Sequence, residues 1–160
     1  SSVTIPLIEQ GLLPKNINHF RVGETLFMGT NVYDDTPFED MHNDVLRLYA
    51  EIIELIKKPT IPEGEMGHNV EGKEFDWDDD ELGKRSYRAI IDLGLLDIET
   101  DHLAPVDETL EIAGASSDMI VIDLKKNEKN YKLGDLLEFK MDYMGALRIF
   151  NSNYIDKRVV

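Results

Sequence analysis

The stretch LEIAGASSDMIVIDL, residues 110–124, decides the fold because it contains the clearest pair of strands in the chain. Apolar residues dominate its second half, and the small residues 114–116 precede them, as is typical of a bend between antiparallel strands. Further apolar runs bounded by Gly, Pro and Asp lie at 85–93 and 133–141. Several short strands at such close spacing predict a small antiparallel β-barrel or β-sandwich.

Residues 44–58, DVLRLYAEIIELIKK, carry two conflicting apolar patterns. Positions 45, 49, 52, 53 and 56 have the spacing of an amphipathic helix, whereas Leu46, Leu48, Ala50 and Ile52 alternate as in a strand. The periodicity taken alone favours a helix.

The two ends of the chain contain shorter elements. Residues 5–11 predict a short helix that Gly11 ends, and residues 18–29, NHFRVGETLFMG, predict a short buried strand. Near the other end, residues 142–150 predict a short helix and residues 153–160 a terminal strand.

The composition excludes several classes of function. The chain has 160 residues with 32 acidic and 17 basic side chains, a net charge of -15 that disfavours nucleic acid and anionic membranes as partners. It has no cysteine, which excludes disulfides and thiolate chemistry. The four histidines lack the spacing of metal ligands, so no metal site is predicted. A cytoplasmic protein is expected, because an acidic surface is typical of soluble cytosolic proteins.

One short motif suggests a ligand site. Arg21 is followed two residues later by Gly23, whose backbone can approach a ligand closely, and this arrangement suits a phosphate group next to a ring. The alternative interpretation is a surface arginine beside a turn glycine.

The order of a serine pair, a short helix, a glycine and INHFRVGETLFMG resembles the end of the pyridoxal 5'-phosphate (PLP) barrel in the alanine racemase family. The branch that includes ornithine racemase is the most similar. The resemblance implies that Ser2, or Ser1, binds the cofactor phosphate together with the backbone N–H groups of Gly23 and Glu24. It also implies that Arg21 faces the pyridine nitrogen.

The resemblance also implies a domain organisation. Residues 1–35 would be the remnant of a TIM-type barrel, including its last strand and helix, and residues 36–160 would be the C-terminal β-domain. Residues 44–58 would then form a strand, against their helical periodicity. The chain would be the C-terminal part of a longer protein.

Two further segments resemble the family. Residues 114–139 are similar to a segment that lies near the substrate carboxylate and reaches across a dimer interface; the matching positions are Ser117 and Asp118. Residues 141–159 are similar to the closing segment, whose tyrosine hydroxyl binds the cofactor phosphate. Tyr143 occupies that position.

The chain departs from the family pattern at two places. The lysine that forms the Schiff base is expected upstream of Ser1. Leu95 stands where alanine racemase carries a catalytic tyrosine, and leucine cannot exchange a proton. The catalytic residues therefore stay unassigned, although four side chains could carry a proton: Tyr87, Asp97, His102 and Tyr143.

The function that the resemblance implies is that of a PLP-dependent amino-acid racemase, which removes and returns the Cα proton of a PLP-bound amino acid. The full-length protein is expected to be a homodimer, and this chain alone is expected to be inactive. The alternatives are a non-catalytic PLP-binding protein, a decarboxylase of the same fold type, and an acidic β-domain that acts as an interaction module. The sequence does not name the amino acid.

Overall fold

The computed structural model describes residues 4–61, 64, 67, 68, 72 and 82–160. The described strands are β1 Leu48–Pro59, β2 Arg85–Ile91, β3 Leu103–Pro105, β4 Glu111–Ala115, β5 Ile120–Asp123 and β6 Leu136–Met141. The described α-helices are α1 Ile5–Glu9, α2 Glu24–Met28 and α3 Tyr143–Asn151, and a 3₁₀ turn, Thr100–His102, leads into β3.

The six strands form one antiparallel sheet in the order β3-β6-β1-β2-β5-β4. Leu103 on one edge strand and Ile112 on the other pack into the same hydrophobic core. The sheet therefore curls around a single interior as a nearly closed barrel, which confirms the predicted mainly β fold.

The core is built from one face of each long strand. It includes the fully buried Ile52, Ile91, Ile120, Ile122 and Phe139. Helix α3 follows β6 directly and covers one side of this core with Ala146 and Ile149. The position of α3 is thus fixed by apolar packing as well as by the chain connection.

The conflict over residues 44–58 is resolved in favour of a strand. Leu48, Ala50 and Ile52 are buried in alternation, whereas Tyr49 and Ile53 point outward. A register shift between Ile52 and Glu54 changes the face that the following residues present, so that Leu55 packs against the core.

The strand predicted over residues 18–29 is wrong. Residues 24–28 form helix α2, which ends at Gly29 with a left-handed φ of 66° and a bond from its N–H to the Thr25 carbonyl. Within α2 only Thr25 is buried, while the adjacent Leu26 and Phe27 are both exposed. In a half-buried strand, adjacent residues would alternate between buried and exposed, and Leu26 and Phe27 do not.

The terminal strand predicted over residues 153–160 is also wrong. These residues have no regular structure, and Val159 and Val160 are fully exposed. Only Ile155 packs against the core, so the segment covers the barrel without joining the sheet. The short helices predicted near 5–11 and 142–150 are confirmed by α1 and α3.

Residues 4–43 differ from the barrel because their only buried residues are Thr25 and Gly29. The boundary between two domains at residues 35 and 36 stays a prediction. Among the described residues, no helix has the length and apolar character needed to cross a membrane.

Candidate functional site

A cleft of about 340 Å³ lies between α2 and the start of α3, and we call it the α2–α3 cleft. Its walls include Glu24, Phe27, Arg47, Lys140 and Tyr143. Helix α2 supplies one wall, with Glu24, Phe27 and Met28. The end of β6 and the first residue of α3 supply the opposite wall.

Gly23 and Tyr143 touch at the edge of this cleft. A Cβ atom at position 23 would lie 2.9 Å from the Tyr143 hydroxyl oxygen, so only glycine leaves room for the phenol in this position. Within the described residues, no side chain caps the N-terminal end of α2, which begins at Glu24 directly after Gly23. A phenolic hydroxyl and main-chain N–H groups therefore share one corner.

The charges around the α2–α3 cleft are mixed. Arg47 and Lys140 bring positive charge, and the Arg47 guanidinium is paired with Glu138 at 3.1 Å. Glu24, Asp35 and Asp142 bring negative charge. An anion in the Gly23–Tyr143 corner would thus be bound mainly by neutral donors. Lys140 is the other cation in the wall of this cleft, since Arg47 is already paired with Glu138.

The start of α3 is fixed by a second set of contacts. The Asp142 carboxylate caps the helix by accepting from the Gly145 N–H at 2.8 Å, and its other oxygen accepts from His102 Nδ1 at 2.7 Å. The backbone N–H of Asp142 also donates to the His102 carbonyl. Asp142, the residue directly before Tyr143, is therefore attached to the turn before β3.

A second cleft, of about 770 Å³, lies at the far end of α3. We call it the Asp118 cleft. It is lined by Leu96, Asp97, Asp118 and Arg148, and by residues 151–154 after the helix. Ser152 donates to Asp97 at 3.1 Å, which attaches the chain after α3 to the turn that follows β2.

Two turns meet tightly beside the Asp118 cleft. A Cβ atom at Gly94 would lie 2.3 Å from the Ser117 carbonyl oxygen, so the two backbones are in direct contact. The N–H groups of Leu95 and Leu96 donate to the carbonyls of Ser116 and Ser117, each at 3.0 Å. These contacts hold the turn that contains Leu95 against the turn that contains Ser117 and Asp118, the two predicted substrate residues.

The structure brings some of the predicted site residues together and leaves others apart. Gly23, Glu24 and Tyr143 meet at the α2–α3 cleft. Ser117 and Asp118 lie together at the other cleft, where the Ser117 hydroxyl donates to the Asp118 carboxylate at 2.7 Å.

One predicted residue lies away from both clefts, and another falls outside the described part of the chain. Arg21 is exposed and lines neither cleft. Ser2 and its alternative Ser1 lie outside the described residues.

Sequence reasoning missed the bond between His102 and Asp142. The sequence shows His102 only as one of four side chains that could carry a proton. It lies 40 residues from the aspartate, so no spacing pattern links them. The available signal was an aspartate directly before a predicted helix, which marks an N-cap but not its second partner.

The Gly23–Tyr143 corner fits the phosphate of PLP. The absent Cβ at Gly23 lets the Tyr143 phenol approach the main chain, so that its hydroxyl and the N–H groups at the start of α2 lie side by side as donors for an oxygen-rich group. Metal binding has no comparable support: in the described ranges, no three side chains of the ligand-forming types lie close enough together to bind an ion.

Comparison with known proteins gives two relatives. The chain is 38% identical over 160 residues to ornithine racemase of Acetoanaerobium sticklandii, an alignment that covers 100% of this chain and 44% of that protein. It is 34% identical over 150 residues to lysine racemase of Thermotoga maritima, covering 94% of this chain and 41% of the relative. No family model matches the chain.

These findings confirm the resemblance to amino-acid racemases. The chain is homologous to both proteins along nearly all of its length. It spans less than half the length of each relative.

Proposed function

We propose that this chain supplies the end of the PLP-binding barrel and the C-terminal β-domain of an amino-acid racemase. The full-length protein would remove the Cα proton of an amino acid and return a proton from either face. The homology to two racemases supports the reaction class. The observation that carries the cofactor proposal is the contact between Gly23 and Tyr143, 120 positions apart in sequence and joined at one corner of a cleft.

Three groups in the chain would hold the cofactor phosphate: the Tyr143 hydroxyl and the N–H groups of Gly23 and Glu24. Ser2 would be a fourth. When bound, PLP supplies an electron sink for the charge that develops at Cα.

Arg21 would face the ring nitrogen. Because an arginine stays protonated, it can only donate to that nitrogen, which favours an unprotonated ring and simple return of the proton to Cα. Exchanging Arg21 for Glu should therefore raise the share of transamination products in the full-length protein. Keto-acid formation per racemisation event measures this share, and an unchanged ratio would remove the role from Arg21.

The substrate is proposed to be a basic amino acid, because the two relatives are an ornithine racemase and a lysine racemase. Ser117 and Asp118 would contribute to the substrate site of a partner subunit in a homodimer. Leu95 cannot act as the second base, so another group must carry the proton on that side.

The direct test is a racemisation assay of the full-length protein with added PLP. D- and L-ornithine, lysine, alanine and serine are incubated separately in deuterated water, and both enantiomers and Cα deuterium are measured. Racemisation with deuterium uptake, strongest for ornithine or lysine, is the expected result. PLP binding without exchange would identify a non-catalytic PLP-binding protein, and absence of both would favour an interaction module.

Substitution of Gly23 tests the cofactor corner itself. We expect Gly23→Ala to push the Tyr143 hydroxyl aside and to weaken PLP binding about tenfold, the equivalent of one lost hydrogen bond of about 1.4 kcal/mol. The fold should tolerate the change because the contact is with the end of a side chain. Fluorescence titration with PLP gives the Kd.

Gly114→Ala is the matched control, because a Cβ atom there would meet nothing within 4 Å. Equal PLP affinity in the Gly23→Ala variant and this control would show that phosphate does not bind in the corner.

A further inference from the structure

We infer that His102 is a positioning residue for Tyr143: through the Asp142 carboxylate it fixes the first turn of α3 and so holds the phenol at Gly23. The inference rests on the proposed function, since it concerns how the cofactor corner is held. His102 itself lines neither cleft and has no proposed contact with cofactor or substrate.

Three contacts join His102 to the start of α3. Its Nδ1 lies 2.7 Å from Asp142 Oδ2, and its carbonyl accepts from the Asp142 N–H at 3.3 Å. The same carbonyl is so close to Gly145 that a Cβ atom there would lie 2.7 Å from it. These contacts extend the pairing of β3 with β6 by one step, because Leu103 pairs with Met141.

The Asp142 carboxylate connects the histidine to the helix. One oxygen accepts from Gly145, which is the N-cap bond of α3, and the other accepts from His102. A carboxylate can only accept, so His102 Nδ1 must carry the hydrogen in this bond. The bond therefore orients the cap, and Tyr143 is the next residue along the chain.

The bond to His102 removes the rotation that a cap alone would leave. Asp142 has an exposed side chain, 54% accessible, and without a second partner its carboxylate could turn about χ2 while still accepting from Gly145. His102 is more enclosed, with a side chain 24% accessible. Its other nitrogen faces Glu99 at 3.8 Å, and Glu99 pairs with Arg148 of α3. The ring is thus held between two parts of the same helix.

The experiment compares PLP affinity and thermal stability in variants of the full-length protein. His102→Ala removes the bond. His102→Asn keeps a donor close to the place of Nδ1. Asp142→Ser keeps a helix cap but has one oxygen, which cannot reach both partners. Tyr143→Phe removes the phenolic donor, and His42→Ala is the matched control because that side chain is 88% accessible.

We expect His102→Ala to raise the Kd for PLP about five- to tenfold, because the Tyr143 hydroxyl would still be present but no longer held in the position from which it donates to the phosphate. His102→Asn should recover most of the affinity, and His42→Ala should leave it unchanged. In the Asp142→Ser background the His102→Ala change should have no further effect on Kd, because the connection is already broken.

Two results would overturn the inference while leaving the proposed function intact. One is a His102→Ala protein with a lower thermal midpoint but wild-type PLP affinity, together with weaker binding in Tyr143→Phe. The other is equal weakening by His102→Ala with and without Asp142→Ser. If the wild-type protein does not bind PLP, or Tyr143→Phe binds as well as wild type, the proposed cofactor corner itself is wrong.

Discussion

The barrel and the segment before it, residues 4–43, differ in what holds them in place. The barrel strands surround a core in which Ile52, Ile91, Ile120, Ile122 and Phe139 are fully buried. The preceding segment buries only two residues and leaves large apolar side chains exposed, among them Leu12, Leu26 and Tyr33. The barrel is therefore stabilised by its own core, whereas the segment is held by local contacts with α3 and with the entry to β1.

This difference matters because the α2–α3 cleft lies where the two regions meet. Gly23 belongs to the weakly packed segment and Tyr143 to a helix seated on the barrel. The position of Tyr143 should then depend on barrel residues. The position of the Gly23 main chain should depend on contacts outside the barrel core. The exposed apolar residues of the segment are those expected if it ends a larger barrel.

The largest effect is expected from breaking the buried ion pair inside the barrel sheet. Asp123 faces Arg88 across β5 and β2, with 3.4 Å between their charged groups and side chains only 5% and 14% accessible. Asp123→Asn leaves the guanidinium without its counter-charge and should cost about 3–5 kcal/mol of unfolding free energy.

Urea unfolding of the 160-residue chain measures this loss. The matched control is Asp156→Asn, because Asp156 pairs with Arg158 at the exposed end of the chain, where their side chains are 90% and 82% accessible. It should cost less than about 0.5 kcal/mol. Equal losses would show that burial in the sheet does not set the strength of these pairs.

Two glycine substitutions place the same steric clash in both regions. A Cβ atom would lie 2.3 Å from a backbone carbonyl oxygen at Gly94, beside the barrel, and also at Gly29, in the preceding segment. Because backbone atoms cannot rotate away, Gly94→Ala should cost about 3 kcal/mol of unfolding free energy. Gly29→Ala, although its φ of 66° adds strain, should cost only about 1 kcal/mol because the segment can yield.

Urea unfolding gives the global cost, and amide hydrogen exchange shows where each clash is absorbed. For Gly29→Ala we expect faster exchange confined to residues 24–43. A global loss as large as that of Gly94→Ala would contradict the difference in packing between the two regions.

A third comparison uses the same turn in both regions. Asp107 accepts from the N–H and hydroxyl of Thr109, as Asp34 does from Thr36. Burial by itself raises the pKa of Asp107, but bonds from Lys129, Thr109 and Tyr131 outweigh it and lower that pKa to about 2. Burial and the bond to Asp107 raise the pKa of Tyr131 to about 12.

The lowered pKa has a defined sign for stability. Asp107 is more acidic in the folded chain, so its contribution is complete above the unfolded pKa of about 3.9 and is lost as the pH falls toward 2. That contribution is about 2 kcal/mol, since the side chain is only 10% accessible. Asp107→Asn should remove this part of the acid dependence.

Unfolding free energies at pH 2.5, 4 and 6 measure the effect. The pKa of Asp34 is also lowered by its bonds with Thr36, but the residue is exposed, and Asp34→Asn should leave the acid dependence of global unfolding unchanged. A similar change in the acid dependence of both variants would mean that the hydrogen bonds of the turn, and not the burial of the aspartate, determine its contribution to stability.

The sequence was sufficient for the barrel where residue type and spacing act locally. The strand pair at 110–124 and the helix after residue 142 were predicted correctly because turn residues bound each apolar run. For residues 44–58 periodicity pointed to a helix. The helical stripe at Val45, Tyr49 and Ile53 is exposed, whereas the alternating Leu48, Ala50 and Ile52 are buried in the core.

The remaining errors concern long-range contacts. Residues 18–29 were predicted as a buried strand, yet their packing depends on Gly29 meeting the backbone of His42, which no local pattern reveals. The contact of Gly94 with Ser117 and the bond of His102 with Asp142 likewise join residues 23 and 40 positions apart. For Gly23 and Tyr143, the family resemblance placed in one site two residues that spacing could not connect.

The contact between Gly94 and the Ser117 carbonyl also limits how the Asp118 cleft can diversify. Position 94 is closed to every other amino acid unless the two loops separate, so a side chain there would displace both loops. Substitutions that change the shape of the cleft must therefore occur at residues near position 94, such as Leu96, which is 78% accessible. A saturation library should therefore recover many residues at 96 and a single one at 94.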